Sequence, residues 1–242
     1  MKPFLINKKM KKIIYTLIII LITGSIKAQD VEFSLGADIV SSYIWRGTYQ
    51  TSSAVQPGMG LDISGFSLSA WGSVPFQGIA KEVDFSASYE IAGLSLSVTD
   101  YWWEGEGAYK YYTYSSRSTG HLFEGTISYK LPCEEFPLTL SWNTMFAGQD
   151  YKTPDSEGKR DRAYSSYISA SYPFSIKAVD LELSVGITPW EGIYADDAAV
   201  IHAGIKASKT LTITDSFSLP IFAEIITNPR REDIFFVFGI SL

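Results

Sequence analysis

The feature that most constrains this chain is a strict two-residue alternation, clearest from Asp233 to Leu242. Every second residue there is large and apolar: Ile234, Phe236, Phe238, Ile240 and Leu242. The other set, Asp233, Phe235, Val237, Gly239 and Ser241, is smaller and more polar towards its ends. Successive side chains of a strand point to opposite faces, so this segment is a β-strand with one greasy face. An unpaired apolar edge invites aggregation. Closing the sheet into a barrel removes the edge, and lipid accepts the greasy face.

The same rhythm recurs along the chain. Phe33, Leu35, Ala37, Ile39, Tyr43 and Trp45 share a face within a first segment, Glu32 to Arg46. Val83, Phe85, Ala87 and Tyr89 oppose Glu82, Asp84, Ser86, Ser88 and Glu90. Val179, Leu181, Leu183, Val185 and Ile187 oppose Asp180, Glu182, Ser184 and Thr188. Extended over the whole chain, the pattern predicts about twelve strands, each near the length a tilted membrane strand needs. The expected fold is an all-β, antiparallel, up-and-down transmembrane barrel. Turns are expected at Ser64, Ala92, 131–137, 173–178 and 209–216 on one side. Loops at 47–54, 75–80, 104–119, 148–161, 189–197 and 228–232 fall on the other. The two longest both land on the second side, the arrangement of outer-membrane barrels, with long loops outside and short turns in the periplasm.

The first 28 residues read as a separate segment. Lys8, Lys9, Lys11 and Lys12 precede the apolar run 13–22, and small residues lead to Ala28. A basic head, a short apolar centre and a small residue at the break describe a secretory signal peptide. The expected organisation is a signal peptide, 1–28, and an outer-membrane β-barrel, 29–242, with both barrel termini periplasmic. The leader carries six lysines and no acid, so its removal leaves 14 basic residues against 26 acidic ones. An acidic chain of this kind is a poor nucleic-acid binder. The single cysteine, Cys133, excludes an internal disulfide framework.

A lipocalin-like soluble barrel would reverse the faces, apolar inside and charged outside. Here the polar face is largely Ser and Thr, and aromatics mark the strand ends. Tyr43, Trp45, Trp102, Trp103, Phe146 and Trp190 are expected in an outer girdle, and Phe66, Tyr89, Tyr129, Tyr172 and Phe217 in an inner one.

Ser41-Ser-Tyr-Ile-Trp-Arg-Gly47, followed by Thr48-Tyr-Gln50 and Gln56-Pro-Gly58, resembles the opening signature of the TorF-type porin family. Ala70-Trp-Gly-Ser73, Glu82-Val-Asp84 and Tyr89 with Tyr101-Trp-Trp103 are similar too, so the likeness spans Phe33–Trp103. It implies an outer-membrane barrel without naming a cargo. Leu242 stands where such barrels commonly end on Phe.

The face opposite the apolar one carries Glu32, Asp38, Asp62, Glu82, Asp84, Glu90, Glu124, Asp180, Glu182, Glu224 and Asp233, against Arg46, Lys130, Lys206 and His202. An acidic lumen favours cations, because low-dielectric walls focus the field. Arg46 is expected to face inwards and, through closure of the first strand on the last, to pair with Asp233 or Glu224. Tyr109, Tyr111, Tyr112 and Tyr114 fill the longest loop, either to stack on a flat ligand such as a sugar or to pack over the rim. The charged loop 150–161 lacks the spacing of a calcium loop.

An outer-membrane hydrolase would need a His with a nucleophile partner at the rim. Only His121, expected on the lipid face, and His202, expected in the lumen, are available. No nucleophile motif, metal cluster, phosphate loop or nucleotide fingerprint accompanies them, so no catalytic residue, metal or cofactor is expected. Two readings remain. One is a channel for small hydrophilic solutes, leaning to cations. The other is a plugged barrel that acts through its outer loops. Expected partners are outer-membrane lipid and lipopolysaccharide, and the assembly machinery that reads the closing strand through Ile234, Phe236, Phe238, Ile240 and Leu242.

Overall fold

A computed structural model describes residues 31–78, 80–104, 110–115 and 118–242. The signal peptide expected over 1–28 lies outside them, and so does Tyr109. Residues 32–242 form one compact unit.

Fourteen strands are present among the described residues: β1 Val31–Val40, β2 Tyr43–Trp45, β3 Thr48–Thr51, β4 Ala54–Ile63, β5 Phe66–Pro75, β6 Lys81–Ile91, β7 Leu94–Glu104, β8 His121–Lys130, β9 Thr139–Gly148, β10 Ser166–Ile176, β11 Val179–Thr188, β12 Ala199–Thr214, β13 Phe217–Asn228 and β14 Asp233–Ser241. Twelve of them close a barrel in the order β1-β14-β13-β12-β11-β10-β9-β8-β7-β6-β5-β4. Every pairing between the barrel strands with a described register is antiparallel. This is the expected transmembrane up-and-down barrel.

Alternation sets the two faces. Phe236 is 68% exposed while its neighbour Val237 is 5% exposed, so the greasy set points away from the lumen. Phe33, Leu35, Phe85, Val98, Ile127, Leu183, Ile234 and Phe238 lie exposed on the same outer surface. Water would penalise such a belt, and hydrocarbon does not.

The connections alternate as the sequence predicts. Ser64-Gly65 and Ala92-Gly93 both have positive φ, the backbone of a two-residue hairpin that follows sheet twist. Two turns are tighter than expected. β10 continues through Pro173 to Ile176, and β12 runs to Thr214, so the turns expected at 173–178 and 209–216 shrink to 177–178 and 215–216. Unbroken pairing of Lys209, Thr210, Leu211 and Thr212 with β13 carries the strand through that stretch.

The larger departure is at the start. One strand was expected from Glu32 to Arg46, zipped along the closing strand. β1 ends at Val40, and its seam with β14 covers only Asp38↔Ser241, Ile39↔Ile240 and Val40↔Gly239, extended by Ala37–Leu242 and Ser41–Phe238 backbone bonds. After Ser41 the chain leaves the wall and makes a separate two-stranded hairpin, β2–β3. Arg46 (φ 50°) and Gly47 (φ 75°) form its two-residue turn between the partners Trp45 and Thr48.

Candidate functional site in the lumen

The hairpin β2–β3 lies inside the barrel, and the site is built around its tip. Gly47 is required there. Its φ is left-handed, and a Cβ would overlap the carbonyl oxygen of Ile201 on β12. The Asn228 side chain on β13 donates to the Gly47 carbonyl at 3.1 Å. The tip is thereby clamped against two neighbouring wall strands.

That clamp aims Arg46 across the lumen. Its guanidinium donates to both oxygens of Glu124 on β8, at 2.6 and 2.7 Å. A planar fork on a carboxylate is the strongest geometry available to such a pair. Arg46 also donates to the hydroxyl of Tyr194, in the 189–198 loop, and the Tyr101 hydroxyl donates to Glu124 at 3.0 Å. The guanidinium lies 4.7 Å from the ring centres of Trp45 and Tyr167. Trp45 packs on Tyr101, Trp103 and Tyr194 at 5.5 to 6.1 Å. The side chains of Arg46 and Glu124 are 11% and 1% exposed, so the pair is desolvated. Burial also raises the Tyr194 hydroxyl above its ordinary range, which keeps it a neutral donor and acceptor.

The pairing expected for Arg46 is therefore corrected. Arg46 faces inwards, but its partner is Glu124, not Asp233 or Glu224. Closure brings β1 beside β14, yet the hairpin carries Arg46 off β1 and across to β8. Asp233 is exposed at the start of β14, opposite Asn228. Glu224 stands opposite Lys206, whose ammonium lies 4.4 Å from the Phe222 ring centre. Asp38 sits at the β1–β14 seam. His202 faces inwards, with Nε2 2.8 Å from the Ser184 hydroxyl.

The expected outer aromatic girdle also changes. Tyr43, Trp45 and Trp103 belong to the lumen cluster rather than the lipid face. Phe146 and Trp190 are exposed on the outside, and Trp190 lies 6.4 Å from Trp142. At the short-turn end, Tyr89, Tyr129 and Phe217 are exposed outwards.

Burial of the inward residues is graded along the barrel axis. Near the long-loop end Ser73, Glu82, Asp84, Glu124, Met145, Thr188, Ile201 and Asn228 are buried around the hairpin. Towards the short-turn end the inward Ser86, Ser97, Ser128, Ser184, Lys206 and Glu224 are half-exposed, and Glu182 is exposed. The lumen is filled at one end and accessible at the other.

His121 lies on the outward face, as expected, but is completely buried. Its Nδ1 is 2.7 Å from Asp100 and its Nε2 is 2.6 Å from the Tyr111 carbonyl oxygen. Tyr114 stacks on the imidazole at 4.5 Å, and Tyr111 meets it edge-on at 4.9 Å. Both ring nitrogens are occupied, and neither faces a hydroxyl nucleophile. Of the loop tyrosines, Tyr111 and Tyr114 fold back on the wall, while Tyr112 is 87% exposed. Desolvation and the bond with Tyr114 push the Tyr111 hydroxyl up to about 12. The described part of this loop packs over the rim. A second loop brace holds Asp150, which accepts from Ser165 Oγ at 2.5 Å and Ser165 N at 3.0 Å, while Ser165 Oγ accepts from Ile193 N at 2.9 Å.

No family profile matches the chain, and no curated protein does. Among solved structures, a NanC porin aligns with 86% of this chain and 98% of its own, at 10% identity and a TM-score of 0.48. An outer membrane channel from Pseudomonas putida F1 covers 90% of this chain and 97% of its own, at 14% identity and a TM-score of 0.43. OmpF of Salmonella typhi, in complex with daunomycin, covers 86% and 96%, at 8% identity and a TM-score of 0.40.

Proposed function

We propose that this chain is an outer-membrane channel for small hydrophilic solutes, leaning to cations and narrowed at its long-loop end by the β2–β3 hairpin. The observation that carries the reading is the burial gradient. Hydroxyl and charged side chains line a water-accessible lumen from the short-turn end up to the hairpin. A barrel of this strand number lies between filled eight-stranded barrels and open porins, so an inserted hairpin governs its bore. The constriction is polar rather than an apolar stopper: Arg46, Glu124, Tyr101 and Tyr194 meet there. Acidic side chains outnumber basic ones on the inward face, and a low-dielectric wall turns that excess into cation preference.

A second reading draws on the other end of the gradient. Glu124 at 1% and Tyr194 at 3% exposure leave little space beside the hairpin, as in a plugged barrel acting through its loops. Ion-selectivity measurement separates the two. The purified barrel in a planar bilayer under a salt gradient gives a reversal potential of cation sign if it conducts. A folded barrel with no current defeats the channel reading and favours the plug.

A further inference from the structure

Two carboxylates in the lumen have no counter-charge among the described residues. Glu82 and Asp84 stand two residues apart on β6, so both point inwards. They are 3% and 8% exposed. Their carboxyl groups are within hydrogen-bonding reach of each other. Yet Glu82 Oε1 and Asp84 Oδ1 meet no donor among the described residues. Lys81, next to them in sequence, projects to the other face and approaches Glu104 at 3.7 Å. The contrast with Glu124, forked by Arg46, is direct.

The surroundings supply oxygen and neutral N–H groups rather than positive charge: the Trp103 indole lies beside Glu82 and the Trp102 backbone beside Asp84. Ser73 is the register partner of Glu82, and Gln56 Nε2 lies 3.5 Å from the Ser73 hydroxyl. Tyr43 of the hairpin reaches Glu82 and packs edge-on against Trp71, 5.4 Å away. Burying an ionised carboxylate costs several kcal/mol, and a second one beside it adds repulsion. A dication between them offsets both charges at once. The donors are all hard oxygens, the set that calcium prefers over softer metals.

We propose that Glu82 and Asp84, with Ser73 and Gln56, form a lumenal binding site for a divalent cation of the calcium type. The site rests on the channel reading only for its route of entry, the accessible half of the lumen. Two carboxylates make a weak site, with a Kd of about 10⁻⁴ to 10⁻³ M, the range of low-charge calcium modules. Through Tyr43, the bound ion also ties the hairpin to the wall.

Terbium is the probe, since Trp71 and Trp103 adjoin the carboxylates in register and sensitise its emission. The full barrel, folded in detergent, should give saturable tryptophan-sensitised emission that calcium displaces. Glu82→Gln with Asp84→Asn should weaken terbium binding at least tenfold. Should that variant fail to assemble, Trp71→Phe decides. It keeps both carboxylates, yet should dim the emission severalfold. Absent emission in the wild type, emission that calcium does not displace, or emission unchanged in these variants overturns the site. Bilayer recording is independent: a silent barrel that still binds terbium loses the channel and keeps the site, and a conducting barrel without terbium emission does the reverse.

Discussion

Removing the Glu124 carboxylate should release the hairpin. In Glu124→Ala, Arg46 in its folded position keeps a buried charge without its forked partner. Breaking one side of a buried ion pair costs about 3–5 kcal/mol. The Tyr194 hydroxyl and the faces of Trp45 and Tyr167 remain, and such cation–π contacts return about 0.5–2 kcal/mol. A net loss of about 1–4.5 kcal/mol raises the population with the hairpin out of the lumen by roughly 5- to 2,000-fold, at 1.36 kcal/mol per tenfold. Arg46 is itself a trypsin site, and the bond to Gly47 is shielded only while the tip is clamped at Asn228 and Ile201. Cleavage that follows transient opening reports the open population. The fragment beginning at Gly47 should therefore appear at least about five times faster in the variant than in the wild type, by mass spectrometry. Equal rates in two folded barrels would refute the latch.

Gly47→Ala should act in the same direction. It adds about 1–2 kcal/mol of left-handed backbone cost to a clash with the Ile201 carbonyl, and the same tryptic assay reads it. His121→Ala removes the links to Asp100 and to the Tyr111 carbonyl. Cleavage after Lys110 should accelerate while the barrel's resistance to heat stays within about 1–3 kcal/mol of wild type, the cost of a lost buried polar partner. Replacing Phe236 and Phe238 with Ser strips two aromatic rings from the lipid face of β14, so insertion into vesicles should slow or fail. Normal insertion of that variant would count against the role given to the closing strand.

The barrel was legible in the sequence because its information is local. Alternation names the face of each residue, and Ser64-Gly65 and Ala92-Gly93 name their turns without knowledge of the partner strands. The outward placement of Ile234, Phe236 and Phe238 follows from period two alone. The hairpin was missed for a related reason. Tyr43 and Trp45 continue the alternation of β1, so period two cannot tell a wall strand from one that has turned into the lumen. The available signal was Trp45-Arg46-Gly47-Thr48, a two-residue turn whose first central residue is an arginine held at φ 50° by its contacts. A polar or glycine residue there would have announced the turn. The partner of Arg46 was misassigned because register links neighbours around the wall, whereas Arg46 reaches Glu124 across the lumen. Cross-lumen distances depend on how the hairpin folds, and no local pattern encodes them.

Single-channel recording of wild type beside Glu124→Ala tests the central claim most directly. If the lumen conducts and the latched hairpin sets its bore, the wild type gives small cation-selective steps and the variant gives larger ones. Silence from both folded proteins would contradict the channel. Equal conductance in the two would contradict the hairpin as its constriction.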